Sequence, residues 1–199
     1  MKSPSLPVGL SAAALFALEP FVGKVLLPRL GGTPRVWNTC VLVFQLLLLS
    51  GYWYSVHLGR ARDAERAGRL HKILVIVAAV SWPLTVRALW ITPWPGVPPV
   101  AWIVAISAIA IGLPFIMLSA TSPLVQVWLS ENRSAATPVH RLYAVSNIAS
   151  IAGLVLYVAL IEPFAGVRAQ SWIIWAIGTC AILLALRLSP GLDPIAWTV

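Results

Sequence analysis

The sequence predicts an all-α integral membrane protein, a bundle of about six transmembrane helices, on three grounds. First, 59% of the residues are hydrophobic and only 10% are charged, whereas a soluble domain carries about 25% charged residues. So apolar a chain has too little polar surface to cover itself in water. Second, apolar runs separated by charged or Pro/Gly-rich breaks recur six times, each near the ~20 residues that carry a helix across a bilayer core. Third, Lys and Arg gather in alternate connections, as they do where basic loops set membrane orientation.

The six expected spans are approximately 7–28, 36–58, 73–91, 100–119, 141–162 and 170–187. Residues 1–187 thus form one six-helix domain, and 188–199 a short C-terminal tail. Lys2 followed by "LSAAALFAL" resembles the start of a signal peptide, but "EPFVGKVLLP" stands where a small-residue cleavage site would be, so a retained first span is expected. The 59–72 connection, "GRARDAERAGRLHK", is the most charged, and the 92–99 connection, "TPWPGVPP", is a turn without charge. The fourth run stays apolar from Val100 to about Trp128, about 44 Å as one helix and longer than a ~30 Å core. Pro114 and "SATSP" (119–123) predict a kink, then a second short helix from about Pro123 to Leu129.

With the N-terminus inside, the cytoplasmic side receives Lys2, Arg60, Arg62, Arg66, Arg69, Lys72, Arg133, Arg141 and Arg187. The other side receives Lys24, Arg29, Arg35 and Arg168, and Arg87 stays within a span. That bias predicts N-in and C-in. Several of the ten Trp residues, among them Trp37, Trp90, Trp94, Trp128 and Trp172, fall near span ends as an aromatic belt. The excess of 14 Lys+Arg over 6 Asp+Glu is spread through short loops and forms no binding face, which excludes nucleic acid as a partner. Cys40 and Cys180 lie inside apolar runs without CxxC or metal-ligand spacing and are expected to be small buried hydrophobes rather than a disulfide framework.

Ionisable groups inside a span mark functional sites by default. Glu19 lies about 18 Å along the first span, next to Pro20, in the cluster "LEPFVGK" (18–24). In a straight helix Glu19 and Lys24 point about 140° apart; a break at Pro20–Gly23 would bring them together, and otherwise Lys24 snorkels outward. Glu19 is expected to be a conformational anchor or, alternatively, a proton- or cation-coupling carboxylate, with contact to a partner subunit as a third role. The echo "IEPFAGV" (161–167) places Glu162 about 30 Å up the fifth span, where an interfacial pair with Arg168 is expected. Arg87 is expected to be an interfacial anchor, with an anionic lipid or ligand as the second role. In "YAVSNIASIAGLVLY", Ser146 and Ser150, and Ala149 and Gly153, repeat at four-residue spacing, a helix-packing pattern in which Asn147 can hydrogen-bond across the contact.

His57, His71 and His140 lie near cytoplasmic span ends and lack the spacing of a paired axial site, so each is a weak cofactor-ligand candidate. No Cys/His/Asp/Glu cluster has metal spacing, and no cofactor is expected. A bound lipid or pigment would come through partner subunits.

Three segments resemble one family. "EPFVGKVLLPRLGGTPRVWNTCVLVFQLLLLSGY" (19–52), "GLPFIMLSATSPLVQVW" (112–128) and "HRLYAVSNIASIAGLVLYVALIEPFAGVRAQSW" (140–172) resemble the membrane region of bacterial fused MFS/spermidine synthase proteins. That family also shows a Glu/Gln-Pro near the end of its first helix, a Gly-Lys, a Gly-Gly-x-Pro loop and a Trp-Asn/Thr-Thr-Cys opening. The resemblance implies a bundle like one MFS half in a bacterial cytoplasmic (inner) membrane. Full-length members add a Rossmann-type synthase domain, and this chain stops shortly after its sixth span without a G-x-G-x-x-G strand-to-helix turn. The resemblance therefore implies the spermidine synthase-like membrane module without the catalytic one, and no enzyme activity is expected. The expected function is a non-catalytic polytopic subunit, an accessory or scaffold component that packs against membrane lipids and other integral membrane subunits or itself. The alternative is a half-size MFS-like transporter working as a homodimer or with a partner half. A third, minor reading is support of a separately encoded synthase-like domain.

Overall fold

In the computed structural model, residues 3–61, 63–131 and 138–188 are described, and all of the regular structure among them is helical. Six helices are long and apolar enough to cross a membrane. They are α1 (Ser5–Leu30), α2 (Pro34–Gly59), α3 (Ala64–Thr85), α4 (Pro99–Glu131), α5 (Val139–Leu156) and α6 (Val167–Leu186). A 3₁₀ turn, Val86–Trp90, prolongs α3 beyond Pro83. A π-helical turn, Tyr157–Ile161, and a last helical turn, Glu162–Phe164, prolong α5.

The joints follow from local chemistry. Gly31 and Gly32 both take positive φ, +90° and +59°, a conformation open to residues without Cβ. Their amides return to the Leu27 carbonyl and close α1. Thr33 then caps α2, accepting from the Val36 amide at 3.4 Å, with Pro34 at the first helical position. Asp63 caps α3 through the Arg66 amide at 2.8 Å, and Glu65 pairs with Arg69 one turn on.

Helix α1 is the axis of the bundle. It packs against α2, α4, α5, α6 and the 3₁₀ turn after α3, and 61% of its most apolar stretch is buried, against 11% for α5. The most extensive pairings are α2 with α4 and α1 with α5, followed by α1 with α6, α1 with α4 and α3 with α4. Exchanging α1 with α4, α2 with α5 and α3 with α6 maps these pairings onto one another. The α1–α5 contact becomes α4–α2, α1–α6 becomes α4–α3, and α1–α4 maps onto itself.

Helices this apolar pack closely through their small residues, a mode of association that does not depend on water exclusion. Gly153 provides the closest approach: a Cβ there would collide with the backbone of Ala13. Gly9 lies against Val145 and Ala149 on the same seam. Contacts thus climb both chains together, and α1 and α5 are parallel. Across α2–α4, Gly51 makes room for Ser119, and Phe44 stacks on Phe115 at 5.9 Å.

The expected break in the fourth span is absent: α4 runs as one helix from Pro99 to Glu131, through Pro114 and Pro123. A proline frees the carbonyl four residues earlier, and in an apolar medium that carbonyl needs another donor. Thr85 of α3 supplies it for Pro114, its hydroxyl donating to Ala110 O at 2.9 Å. Pro83 of α3 has the same remedy, since Trp175 Nε1 of α6 donates to Ala79 O at 3.0 Å. Neighbouring helices replace the lost bonds. The break at Pro20–Gly23, one of the two alternatives for Glu19 and Lys24, is likewise absent, because α1 continues to Leu30. Of the two cysteines expected to be buried, Cys40 is buried and Cys180 is exposed, because it lies on an outward side of α6.

Candidate functional site

The charge inside the first span does not meet the partner considered for it. Glu19 is half-buried on unbroken α1 and forms no hydrogen bond or ion pair among the described residues. Lys24 reaches instead to Glu162 at the end of α5, with Nζ–Oε1 at 3.2 Å and side chains 33% and 41% exposed. This corrects the expected Glu162–Arg168 pair. Parallel packing of α1 on α5 sets the two Glu-Pro-Phe segments at one level, so the lysine of the first reaches the glutamate of the second. Pairs this exposed contribute little stability.

The end of α5 is organised by a residue that its own sequence context does not mark. Gln170 of α6 is fully buried. It accepts from Tyr157 Oη at 2.9 Å and donates to Ala165 O at 2.7 Å and Glu162 O at 3.4 Å. One side chain thereby satisfies carbonyls that α5 exposes as it ends, which a buried helix terminus requires.

Of the packing residues in α5, Gly153 faces Ala13. Ser146, Asn147 and Ser150 do something else: they line a cavity of about 340 Å³. The same cavity takes Ser11 of α1, Tyr52 of α2 and Ser122 of α4. The hydroxyls of Ser11 and Ser150 turn back onto carbonyls of their own helices, which leaves oxygen lone pairs available. Ser122 accepts from Gln126 Nε2 at 3.0 Å. Asn147 is exposed and has no hydrogen-bond partner among the described residues. The lining has no Asp, Glu, His, Lys or Arg among the described residues, and apolar side chains share the wall with the serines, so it suits uncharged groups. Leu15 of α1 is also on the wall, and Glu19 lies one turn beyond it.

The three histidines separate. His71 is buried, its Nδ1 2.9 Å from Tyr54 Oη and its ring edge-on to Trp128 at 6.0 Å. That polar pair packs against the second cluster of buried residues, with Val8, Leu124, Val125 and Leu142. His57 is exposed and bonds through Nδ1 to Trp53 O at 2.8 Å. His140 is exposed in the first turn of α5. No group of three His, Cys, Asp or Glu able to hold a metal occurs among the described residues.

Arg87 and Arg168 converge at the end of the bundle opposite the N-terminus, on the wall of a cavity of about 600 Å³ between the ends of α3 and α6. Neither forms an ion pair among the described residues.

No protein family matches the chain, and no curated protein or solved structure matches it either.

Proposed function

We propose that the chain is a non-catalytic polytopic subunit of a larger complex in a bacterial cytoplasmic membrane, with both termini inside. It packs against another membrane protein through the face formed by α1, α2, α4 and α5. The observation that carries this reading is the open, serine-bearing cavity on that face, with Asn147 exposed and unpaired among the described residues. Around it, Ile148, Ile151 and Leu154 present apolar surface that lipid covers at no cost. Lipid tails offer an amide nothing, whereas a facing helix offers it a hydrogen-bond partner. The spread of the basic loops supports the orientation, and the resemblance to the membrane region of the fused MFS/spermidine synthase proteins supports the cellular setting.

A half-transporter is the second reading, and the exchange relation among the helix pairings favours it. An MFS half is built of 3+3 inverted repeats, which would relate α1 to α4, α2 to α5 and α3 to α6, and the substrate site lies between two halves. A second copy facing this cavity would close two serine-bearing recesses into one chamber, with Glu19 a turn away. The absence of any charged group from the cavity wall among the described residues ranks this reading below the subunit reading, because ionisable residues within spans are what mark proton and ion pathways.

Purification in a mild detergent followed by native mass spectrometry tests the order of the two. Recovery with a stoichiometric, unrelated membrane subunit is expected. Recovery as an isolated homodimer that binds a substrate would overturn the subunit reading in favour of the transporter.

A further inference from the structure

We propose that the recess between the ends of α3 and α6 is a binding site for the phosphate headgroup of an anionic phospholipid, with Arg87 and Arg168 as its two cationic arms.

Charge supply at this end of the bundle comes first. Arg29, Arg35, Arg87 and Arg168 belong to helix ends or turns here, and Lys24 lies six residues before the end of α1. Glu162 is the acid at the same level, and Lys24 already holds it at 3.2 Å. Arg29 is used by the protein itself, its Nη1 donating to Leu89 O at 3.2 Å. Arg87 and Arg168 keep their guanidinium groups free of any carboxylate among the described residues. Both nevertheless face one cavity of about 600 Å³. Two like charges on one wall repel each other unless an anion lies between them, and a guanidinium fork matches phosphate oxygens in geometry as well as charge.

The helix ends add to the attraction. Arg168 and Ser171 enter from the start of α6, where Gly166 gives no side-chain cap and the first turn has no acid. The amides at such a terminus favour an anion. Ser171 makes no hydrogen bond among the described residues and brings a hydroxyl to the same wall.

The surface beneath the arginines argues for a lipid. On α3, Leu84 and Val80 precede Arg87 at spacings of three and seven residues, which puts them on one stripe, and both are exposed. On α6, Trp172 and Trp175 follow Arg168 at spacings of four and seven, again one stripe, and they pack edge to face at 5.3 Å. Each helix thus presents a cation at its end and apolar surface toward the middle of the bundle. Trp90 and Trp172 wall the recess between these levels, as aromatic side chains do at a membrane interface. A free phosphate would use the two cations and leave the stripes uncovered, whereas an anionic phospholipid covers both.

Thermal unfolding of the intact purified protein, with either a short-chain phosphatidylglycerol, the matching phosphatidylcholine or inorganic phosphate added, tests this directly. Phosphatidylglycerol is expected to raise the midpoint in a saturable way, phosphatidylcholine and inorganic phosphate not. The double variant Arg87→Gln, Arg168→Gln is expected to bind phosphatidylglycerol about ten-fold or more weakly, since two charge-assisted contacts are lost. The double variant Arg87→Lys, Arg168→Lys is expected to retain part of that binding. The substituted side chains lie on the surface, and the variant's midpoint without lipid reports its folding independently. Saturable binding of inorganic phosphate at the same strength as phosphatidylglycerol would overturn the lipid as occupant. Equal binding of phosphatidylglycerol by wild type and the glutamine variant would overturn the site.

Discussion

The two Glu-Pro-Phe-x-Gly segments share their core residues and end differently. After Pro20, α1 continues for ten more residues to Leu30; after Pro163, the fifth helix stops at Phe164 and Ala165 turns extended. A proline alone therefore does not end a helix in this bundle. The residues C-terminal to each segment decide its fate. Beyond the first lie Val25 and Leu26, buried among the other helices, so continuing the helix satisfies the backbone at no polar cost. Beyond the second comes Gln170, at the place relative to Glu162 that Leu27 holds relative to Glu19. Its amide donates to the carbonyls that the ending helix leaves free. The two glutamates differ for a related reason: Lys24 reaches Glu162 across the α1–α5 seam, and Glu19 is left without a partner among the described residues.

Breaking the seam is the most severe way to disturb this comparison. Gly153→Val puts a branched side chain into the backbone of Ala13 and is expected to destabilise the protein by about 3 kcal/mol. Thermal unfolding in detergent, followed by far-UV circular dichroism, measures it. Gln170→Leu tests what ends the second segment. It is expected to cost about 2 kcal/mol, the range for leaving buried polar partners unpaired, and to speed hydrogen exchange at the end of α5 while leaving α1 unchanged. An equal change in both helices would mean that Gln170 does not act locally.

The charges give smaller effects. Glu162→Gln is expected to lower stability by about 0.5 kcal/mol, the worth of a half-exposed pair. In a double-mutant cycle with Lys24→Met, most of that loss is expected to appear as coupling between the two sites. Glu19→Gln is expected to leave stability unchanged or raise it slightly, because an isolated carboxylate in a span contributes no bond and carries a desolvation cost. A loss larger than that of Glu162→Gln would show that Glu19 has a stabilising partner. Loss of a transport activity with stability intact would favour the half-transporter.

Much of the architecture was legible in the sequence because its causes are local. Apolar runs mark the six helices, and the Pro/Gly-rich "TPWPGVPP" marks the turn between the third and the fourth, each within a short stretch of chain. The continuity of α4 was not legible. Pro114 removes a bond within its own helix, and the donor that replaces it, Thr85, belongs to a different one. The Lys24–Glu162 pair, the Trp175 bond to Ala79 and the Tyr54–His71 pair are hidden for the same reason: each depends on which helices become neighbours. The small residues of α5 divided in a way spacing alone could not show. Gly153 packs against α1, while Ser146, Asn147 and Ser150 open into a cavity. Exposure of Asn147 depends on the rotation of α5 in the bundle, and a helix with exposed apolar residues on most sides does not specify that rotation in its sequence.

Photo-crosslinking in native membranes separates the two sides of the bundle, of which the α1, α2, α4 and α5 face is held to meet protein and the α3 and α6 side to meet lipid. A photoreactive residue at position 147 is compared with one at position 80, an exposed apolar site on α3. The expected result is a discrete adduct from position 147 to one membrane protein, identified by mass spectrometry as a distinct subunit, and lipid adducts from position 80. Lipid adducts alone from both positions would contradict that division.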